Sequence, residues 1–491
     1  MRFTFAKKSR AESSKSRLPV WKKIGLSAVV ATIALPSWSA YASEASDRLQ
    51  QVLDILSTSH VSGVTEEALS DAAIKAMVDS LNDPYTEFMD KQQWSQFEGS
   101  LARNYVGVGI LISHTAEGVY IEQVFKDSSA EAAGLQPDDI IVKVNDTDIT
   151  PENAKDVATY ITGEENTNVT ITVLRGAERL VLTMPRKAVS LPVVESAYLD
   201  GGVGYLKVYS FSDDSDEQFT EILEGFQAKS DFRSLVIDLR DNPGGLLESA
   251  GYMASNFIKD SVLIHTKTRN GTDNPVNIVG GATLPLPVYV LVNENSASAS
   301  EILAGALQDY KVAVIAGTNT YGKGSVQSIY SLSDGSKLKV TIEEYLTPLG
   351  HPVNKVGIKP DLVLEGGMNQ LLQVLRLAGV KEFKVEKNRS VVTVNGMQVD
   401  DSLPAVEEDG KLWVHSRVLA ALAGAELKWV PEAQGVELIV QGKAPVLLSG
   451  SQAKMVGDYL FLDAAAFAQS FPGVKVEGTL NQLALGASAV N

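Results

Sequence analysis

The stretch Leu291-Val-Asn-Glu-Asn-Ser-Ala-Ser-Ala-Ser-Glu-Ile-Leu-Ala-Gly-Ala-Leu-Gln-Asp-Tyr310, continued by Lys311-Val-Ala-Val-Ile-Ala-Gly-Thr-Asn-Thr-Tyr-Gly-Lys-Gly-Ser-Val-Gln327, decides the fold. The apolar run Val288 to Val292 ends in small polar residues, and Leu303, Ala306, Leu307 and Tyr310 then recur at the three-and-four spacing of a buried helix face. Ser296, Ser298 and Ser300 therefore stand at a strand-to-helix corner. The first N–H groups of a helix lack intrahelical acceptors and carry the positive end of its dipole, so they stabilise negative charge that develops beside them. A serine there is placed to be a nucleophile. It is equally placed to cap, because Ser298-Ala-Ser-Glu301 is a capping box in which serine and glutamate side chains satisfy each other's backbone donors.

The second half of the stretch favours chemistry. A strand over Val312 to Ile315 leads through a turn to Tyr-Gly-Lys323-Gly-Ser-Val-Gln327. If Lys323 opens a strand, Lys323, Ser325 and Gln327 share one face by the two-residue alternation. With glycine on either side, Lys323 can enter a narrow, dry slot, where a lysine loses its proton more readily and can act as a general base for a serine.

The 491 residues allow about three domains at ~150 residues each. Cysteine is absent, which excludes disulfides, thiolate metal sites and a cysteine nucleophile. Arg2, Lys7, Lys8, Arg10, Lys15, Arg17, Lys22 and Lys23 precede an apolar run from Ile24 to Leu35, then Pro36 and Ala40-Tyr41-Ala42. This pattern predicts a secretory signal over residues 1–42, cut after Ala42, with a retained membrane anchor as the alternative. Those 42 residues carry eight positive charges and one negative, so their loss takes the formal charge from −17 to −24. So acidic a chain is a poor binder of nucleic acid or anionic membrane, and an extracytoplasmic location is expected.

Residues 43–98 read as helices, one with Leu69, Ala72, Ala73, Met77 and Leu81 on a stripe that stops at Asn82-Asp83-Pro84. Packing or homodimerisation is the role expected of them. Residues 99–187 change to short strands: Val106 to Ile112, Val119 to Val124, a short helix Ser129 to Leu135, then Asp138 to Asn145 and Val169 to Leu174. This order, with Ala-Ala-Gly-Leu-Gln-Pro-Asp-Asp-Ile inside it, resembles a PDZ domain. The resemblance implies that Gly107, Val108, Gly109 and Ile110 receive a substrate's free, apolar C-terminus by backbone donors and strand addition.

Residues 188–378 alternate strands and helices, with a strand over Gly204 to Tyr209, a helix over Asp214 to Gln227 and a buried strand from Ser234 to Arg240. The last delivers Asp241-Asn-Pro-Gly-Gly245, whose glycines let backbone approach a ligand closely. The serine corner, Tyr-Gly-Lys-Gly-Ser-Val-Gln, Asp-Asn-Pro-Gly-Gly and Gly357-Ile-Lys-Pro-Asp361 together resemble the C-terminal processing (tail-specific) serine peptidases of family S41. Met77 to Tyr85 resembles that family's N-terminal helical segment. The resemblance implies a crotonase-like α/β core with Ser298 as nucleophile, Lys323 as base and Gln327 as its orienter. It also implies oxyanion donors from the N–H of Ala299 and of a turn glycine, most simply Gly244. No metal or other cofactor is implied. A histidine triad is the competing hydrolase. Of five histidines only His265 and His351 fall in the core, and neither lies in a recognisable corner.

A helix over Met368 to Leu377 is followed by residues 379–387, with the charged run Lys381 to Lys387, expected as a linker. Residues 388–491 then repeat at roughly 47 residues: Gly410-Lys-Leu-Trp-Val-His-Ser-Arg-Val-Leu-Ala-Ala recurs as Gly457-Asp-Tyr-Leu-Phe-Leu-Asp-Ala-Ala-Ala-Phe-Ala. This region resembles the copper amine oxidase N-terminal-like (stalk) domain. His415 is isolated, so no copper is expected there. Its own core, separable near Lys387, and a cell-envelope partner are expected instead. The expectation is an α/β multidomain serine endopeptidase using a Ser298–Lys323 dyad. The rival is a catalytically silent PDZ scaffold in which Ser298 only caps its helix.

Overall fold

A computed structural model describes residues 4–6, 44–101, 104–115, 118–389 and 391–488. The apolar run read as an export signal lies outside the described residues. Thr4–Ala6 forms a short strand beside Asp273–Val279.

The central sheet runs in the order Val194–Leu199, Val203–Val208, Ser234–Asp238, Val288–Val292, Val314–Gly317 and Leu362–Val363, antiparallel only at its first pair. Its middle strands are covered on both faces, which explains why they read as unbroken apolar runs. Helices Ser215–Gln227, Leu247–Ala254 and Ala299–Asp309 share one core with one face of the sheet. Helix Gly367–Ala378 covers the other. A second sheet, which includes Ser325–Ser331 and Lys337–Leu346, stands beside this core and takes Glu87–Met89 from the N-terminal segment onto Lys337–Lys339.

Residues 99–187 form a small barrel, but the run Val106 to Ile112, expected as one strand, is split: Asn104–Gly107 pairs with Lys187–Ser190, and Ile110–Thr115 pairs with Gly118–Val124 at the edge of the barrel sheet. Gly134 ends the short helix Ser129–Ala133 in the left-handed conformation, a position for which glycine has no steric penalty. Val108 faces the barrel core at 1% exposure, so of the expected tail-binding residues it can offer only its backbone. The N-terminal helices Glu44–Ser59 and Glu66–Asp79 bury no residue, and Met77 and Leu81 of the predicted stripe lie open.

Residues 379–387, expected as a linker, instead supply most of the strand Phe383–Asn388. Its charges alternate with the buried Phe383 and Val385, so the run has strand rather than linker periodicity. This strand lies between Val391–Val394 and Gln482–Ala487. The sequence repeat is visible as two hairpin–helix–hairpin units, centred on Ser416–Ala423 and Ala464–Ser470. His415 caps the first helix, as Asp463 caps the second at the equivalent place.

The expectation of a separate C-terminal core is not met. One apolar cluster runs from Val203, Val236 and Leu291 of the central sheet through Leu371, Leu372 and Leu375 to Val392, Leu419 and Leu485. Helix Gly367–Ala378 carries apolar residues toward both sides. Arg376 extends the join by donating to the carbonyl oxygens of Ala421 and Leu422. A chain ending near Lys387 is therefore expected to lose soluble yield, or to melt about 5 °C or more below the full chain by calorimetry. An unchanged midpoint would show that the shared cluster contributes little.

Candidate active site

Three loops leave the carboxyl ends of adjacent parallel strands: Asp241–Gly245 after Ser234–Asp238, the serine corner after Val288–Val292, and residues 318–324 after Val314–Gly317. Open α/β sheets bind ligands at this edge, because loops from neighbouring strands converge there.

The first two loops are stitched together by side chains that the motifs supply. Asp241 Oδ1 accepts from Asn293 Nδ2 at 2.9 Å and Asn295 Nδ2 at 2.8 Å. The carbonyl of the fully buried Asn242 accepts from Ala297 N–H at 3.0 Å and from Ser300 Oγ at 2.9 Å. Ser296 Oγ donates to the Leu239 carbonyl at 2.8 Å. Two of the three serine hydroxyls are thus committed to structure.

Ser298 differs from both. Its backbone has φ 55° and ψ −114°, a conformation that costs a non-glycine residue free energy and that surrounding contacts must enforce. Ser298 and Glu301 form the capping box: Ser298 N–H donates to Glu301 Oε2 at 2.8 Å, and Glu301 N–H turns back to Ser298, donating to its carbonyl at 2.8 Å. Unlike Ser296 and Ser300, Ser298 Oγ donates to no backbone carbonyl among the described residues. Ala299 opens the helix, and its N–H has no acceptor among the described residues.

Gly244 packs against this corner at φ 101°. A Cβ there would fall 2.8 Å from Ser298 Cβ and 2.9 Å from Ala299 N, so only glycine fits. The Gly244 N–H, however, donates to Asn242 Oδ1 at 2.8 Å. In contrast to the sequence expectation of an open donor, the short asparagine side chain folds back on its own turn and occupies it.

Lys323 lies in the loop before its strand, which begins at Ser325. Gly324 flanks it because the Asn354 backbone passes where a Cβ would be, 2.1 Å from Asn354 N. The ammonium group of Lys323 rests 5.1 Å from the centre of the Tyr85 ring. Burial holds the Lys323 amine below the ordinary lysine range, helped by the charge of Lys339 and opposed by Glu301 and Asp83. Tyr85 itself is pushed up to about 12 by burial and by its hydrogen bond with Tyr321, so it stays neutral.

Gln327 does not meet the expected geometry. A bulge between Val326 and Gln327 breaks the strand alternation, and the Gln327 amide donates to Ser325 Oγ at 2.9 Å and Thr341 Oγ1 at 3.3 Å. No hydrogen bond joins it to Lys323 among the described residues.

Serine corner and lysine loop are held in common by two residues that sequence reasoning missed. Glu301, fully buried, accepts at Oε2 from the N–H groups of Ser298 and Lys323, and at Oε1 from Gly322 N–H and Thr320 Oγ1, at 2.6 to 2.9 Å. Tyr345 donates from its hydroxyl to the carbonyls of Ser298 at 3.2 Å and Lys323 at 2.9 Å. The capping box marked Glu301, but nothing local marked its grip on residues 320–323. His265 pairs instead with Asp273, and His351 lies near Asp309 on the surface. Neither has a hydrogen bond to Ser298.

Residues 202–364 match the family model for peptidase family S41, residues 120–175 that for a PDZ domain, and residues 28–93 that for the activating protease CtpB N-terminal domain. A probable CtpA-like serine protease of Staphylococcus aureus (strain bovine RF122 / ET3-1) is 34% identical over 367 residues, spanning 72% of this chain and 73% of that protein. One of Staphylococcus haemolyticus (strain JCSC1435) is 35% identical over 311 residues, 62% of each. Among solved structures, a photosystem II D1 C-terminal processing protease aligns at 27% identity over 65% of this chain and 92% of its own, with a TM-score of 0.39. By its sequence matches the chain belongs to peptidase family S41, as a serine-type peptidase of the carboxyl-terminal processing kind.

Proposed function

We propose that this peptidase is an exported endopeptidase that cleaves proteins selected by their C-terminal tails, with Ser298 as nucleophile and Lys323 as general base. The observation that carries the assignment is the division of labour among the three corner serines. Ser296 and Ser300 donate their hydroxyls to backbone carbonyls of the turn, whereas Ser298 makes no such bond among the described residues and is held in a strained conformation at the helix start. In this reading the Lys323 amine swings from the Tyr85 ring to take the proton from Ser298 Oγ, which attacks the scissile carbonyl. Charge developing on the carbonyl oxygen is met by the Ala299 N–H at the helix start, and by the Gly244 N–H as it exchanges Asn242 Oδ1 for the oxyanion. The lysine ammonium then protonates the leaving amine, and water resolves the acyl-enzyme by the same route. Gln327 supports the base at one remove, by fixing Ser325 and the strand that follows.

Ser298→Ala and Lys323→Ala are expected to abolish peptide turnover with the melting midpoint kept, and Gln327→Ala to reduce it less. Lys323→Arg should also be inactive, because a guanidinium keeps its proton. A base with a depressed pKa gives a rate that rises with pH as the amine deprotonates and levels off below the ordinary lysine value of 10.5. Because the Lys339 charge disfavours the protonated Lys323, Lys339→Gln should move this limb to higher pH. Turnover by Lys323→Arg, or a limb that moves to lower pH in Lys339→Gln, would sink the dyad.

Tail recognition is assigned to the edge strand Ile110–Thr115 and the backbone of Gly107 to Gly109. Gly109 has φ 83°, and a Cβ there would lie 2.4 Å from the Ser128 Cβ. A peptide with a free, apolar C-terminus is expected to be cut faster than its amidated form. Gly109→Val should erase that preference while leaving Ser298 reactive toward a fluorophosphonate. Equal rates for the two peptides in the parent would count against terminal recognition.

Pairing of two chains through the N-terminal helices is also proposed, since Leu49, Val52, Ile55 and Met77 are exposed on helices that bury nothing. Light scattering is expected to give twice the chain mass, and Ile55→Asp with Met77→Asp to halve it. A monomeric parent would remove this proposal.

A further inference from the structure

Arg240 is the residue immediately before the Asp241–Gly245 turn, and it is almost wholly buried. One edge of its guanidinium is held by Asp238, with Nη2 to Oδ2 at 2.6 Å and Nε to Oδ1 at 2.9 Å. The other edge is held by Asp401, with Nη2 to Oδ2 at 2.9 Å and Nη1 to Oδ1 at 3.1 Å, and by the Gly367 carbonyl at 2.8 Å. Asp401 belongs to the C-terminal unit, just past its hairpin strands Val391–Val394 and Met397–Val399. Lys207 completes the cluster, donating to the Arg240 carbonyl at 2.7 Å and lying 3.6 Å from Asp238. Two buried cations thus face two carboxylates, Asp238 fully buried and Asp401, from the C-terminal unit, partly exposed.

The cluster is joined to the serine corner by direct hydrogen bonds. Arg240 continues into Asp241, whose N–H donates to Asn293 Oδ1 at 2.9 Å, and into Asn242, whose carbonyl holds Ala297 and Ser300. We infer that Asp401 is a positioning residue for hydrolysis: by gripping the outer edge of Arg240 it fixes the root of the turn that packs Gly244 against Ser298. Without that carboxylate, the outer edge of the guanidinium keeps only the Gly367 carbonyl and gains freedom, while Asp238 still holds the inner edge. A cavity of about 420 Å³, lined by Arg240, Asp241, Lys207 and residues 395–401, lies beside the pair. It gives a loosened arginine water and room, so loss of the grip relaxes the turn locally. Burial pushes the Asp401 carboxyl up, and Arg240 is the chief group drawing it back.

This inference rests on Ser298 being the nucleophile, and the test separates the two. Asp401→Asn, Asp401→Glu and Glu365→Gln would be compared with the parent, all as full chains, for kcat and KM on a free-tailed peptide, fluorophosphonate labelling at Ser298, and melting midpoint. Glu365 is the control because its carboxylate pairs with Arg417 across the same interface without touching the turn. The expected result is a kcat lowered about tenfold or more in Asp401→Asn, KM within about twofold, and labelling slowed in parallel, since small misplacements at a reacting centre cost rate rather than binding. Glu365→Gln should keep the parental kcat. A folded Asp401→Asn with parental kcat overturns the inference, as does an equal fall in both variants, which would make Asp401 only an anchor. If Asp401→Asn fails to fold, Asp401→Glu decides: its extra methylene displaces the guanidinium, so a parental kcat overturns the inference and a lowered one upholds it. A parent that neither cleaves nor labels overturns the nucleophile assignment and this inference with it.

Discussion

The buried carboxylate of Glu301 is the interaction on which the rest of the site depends. A carboxylate taken from water is costly unless its oxygens are satisfied, and here four donors meet them. Hydrogen bonds to a charged group contribute about 1.5–3 kcal/mol each, and they oppose without cancelling the burial that pushes the Glu301 pKa up. Two of the donors are the backbone N–H groups of Ser298 and Lys323, far apart in sequence, so satisfying one buried charge also sets their relative position. The strained backbone of Ser298 has its support in the same place: its N–H and carbonyl are both occupied, by Glu301 and Tyr345 among others.

Buried and half-buried cations of this region occupy two kinds of surroundings. Lys207 and Arg240 are buried with carboxylates at hydrogen-bond or ion-pair distance, and they hold the Asp238 carboxyl well below its usual range despite its burial. Lys323 is half-buried against a neutral aromatic ring, with no carboxylate within ion-pair distance among the described residues, and its pKa falls. The first arrangement suits structure, because charge is kept. The second suits proton transfer, because charge is easily given up.

Much of the site was legible because its signals are local. Apolar runs that stop at small polar residues gave the strand ends, helix spacing gave Ala299–Asp309, and glycines with a crowded or left-handed backbone gave the turns at Gly244 and Gly324. What escaped were contacts between segments distant in sequence. Asn82-Asp83-Pro84 read only as the end of a helix, yet the next residue, Tyr85, covers Lys323. Asp401 carries no local pattern that ties it to Arg240. The bulge at Gln327 and the fold-back of Asn242 onto Gly244 are single-residue departures from ideal geometry, which periodicity averages away. The charged run at 381–387 misled because its charges were counted while its alternation with Phe383 and Val385 was not.

The pairing of Phe383–Asn388 with Gln482–Ala487 bears on the order in which the molecule is made. A chain emerges from the ribosome N-terminus first and its domains fold as they become available. Arg240 and Ser298 are therefore both synthesised before the strand that closes the C-terminal sheet and seats the Asp401 hairpin. Until that last strand is made, Phe383–Asn388 has only Val391–Val394 beside it, and the sheet that carries the Asp401 hairpin is open on one side.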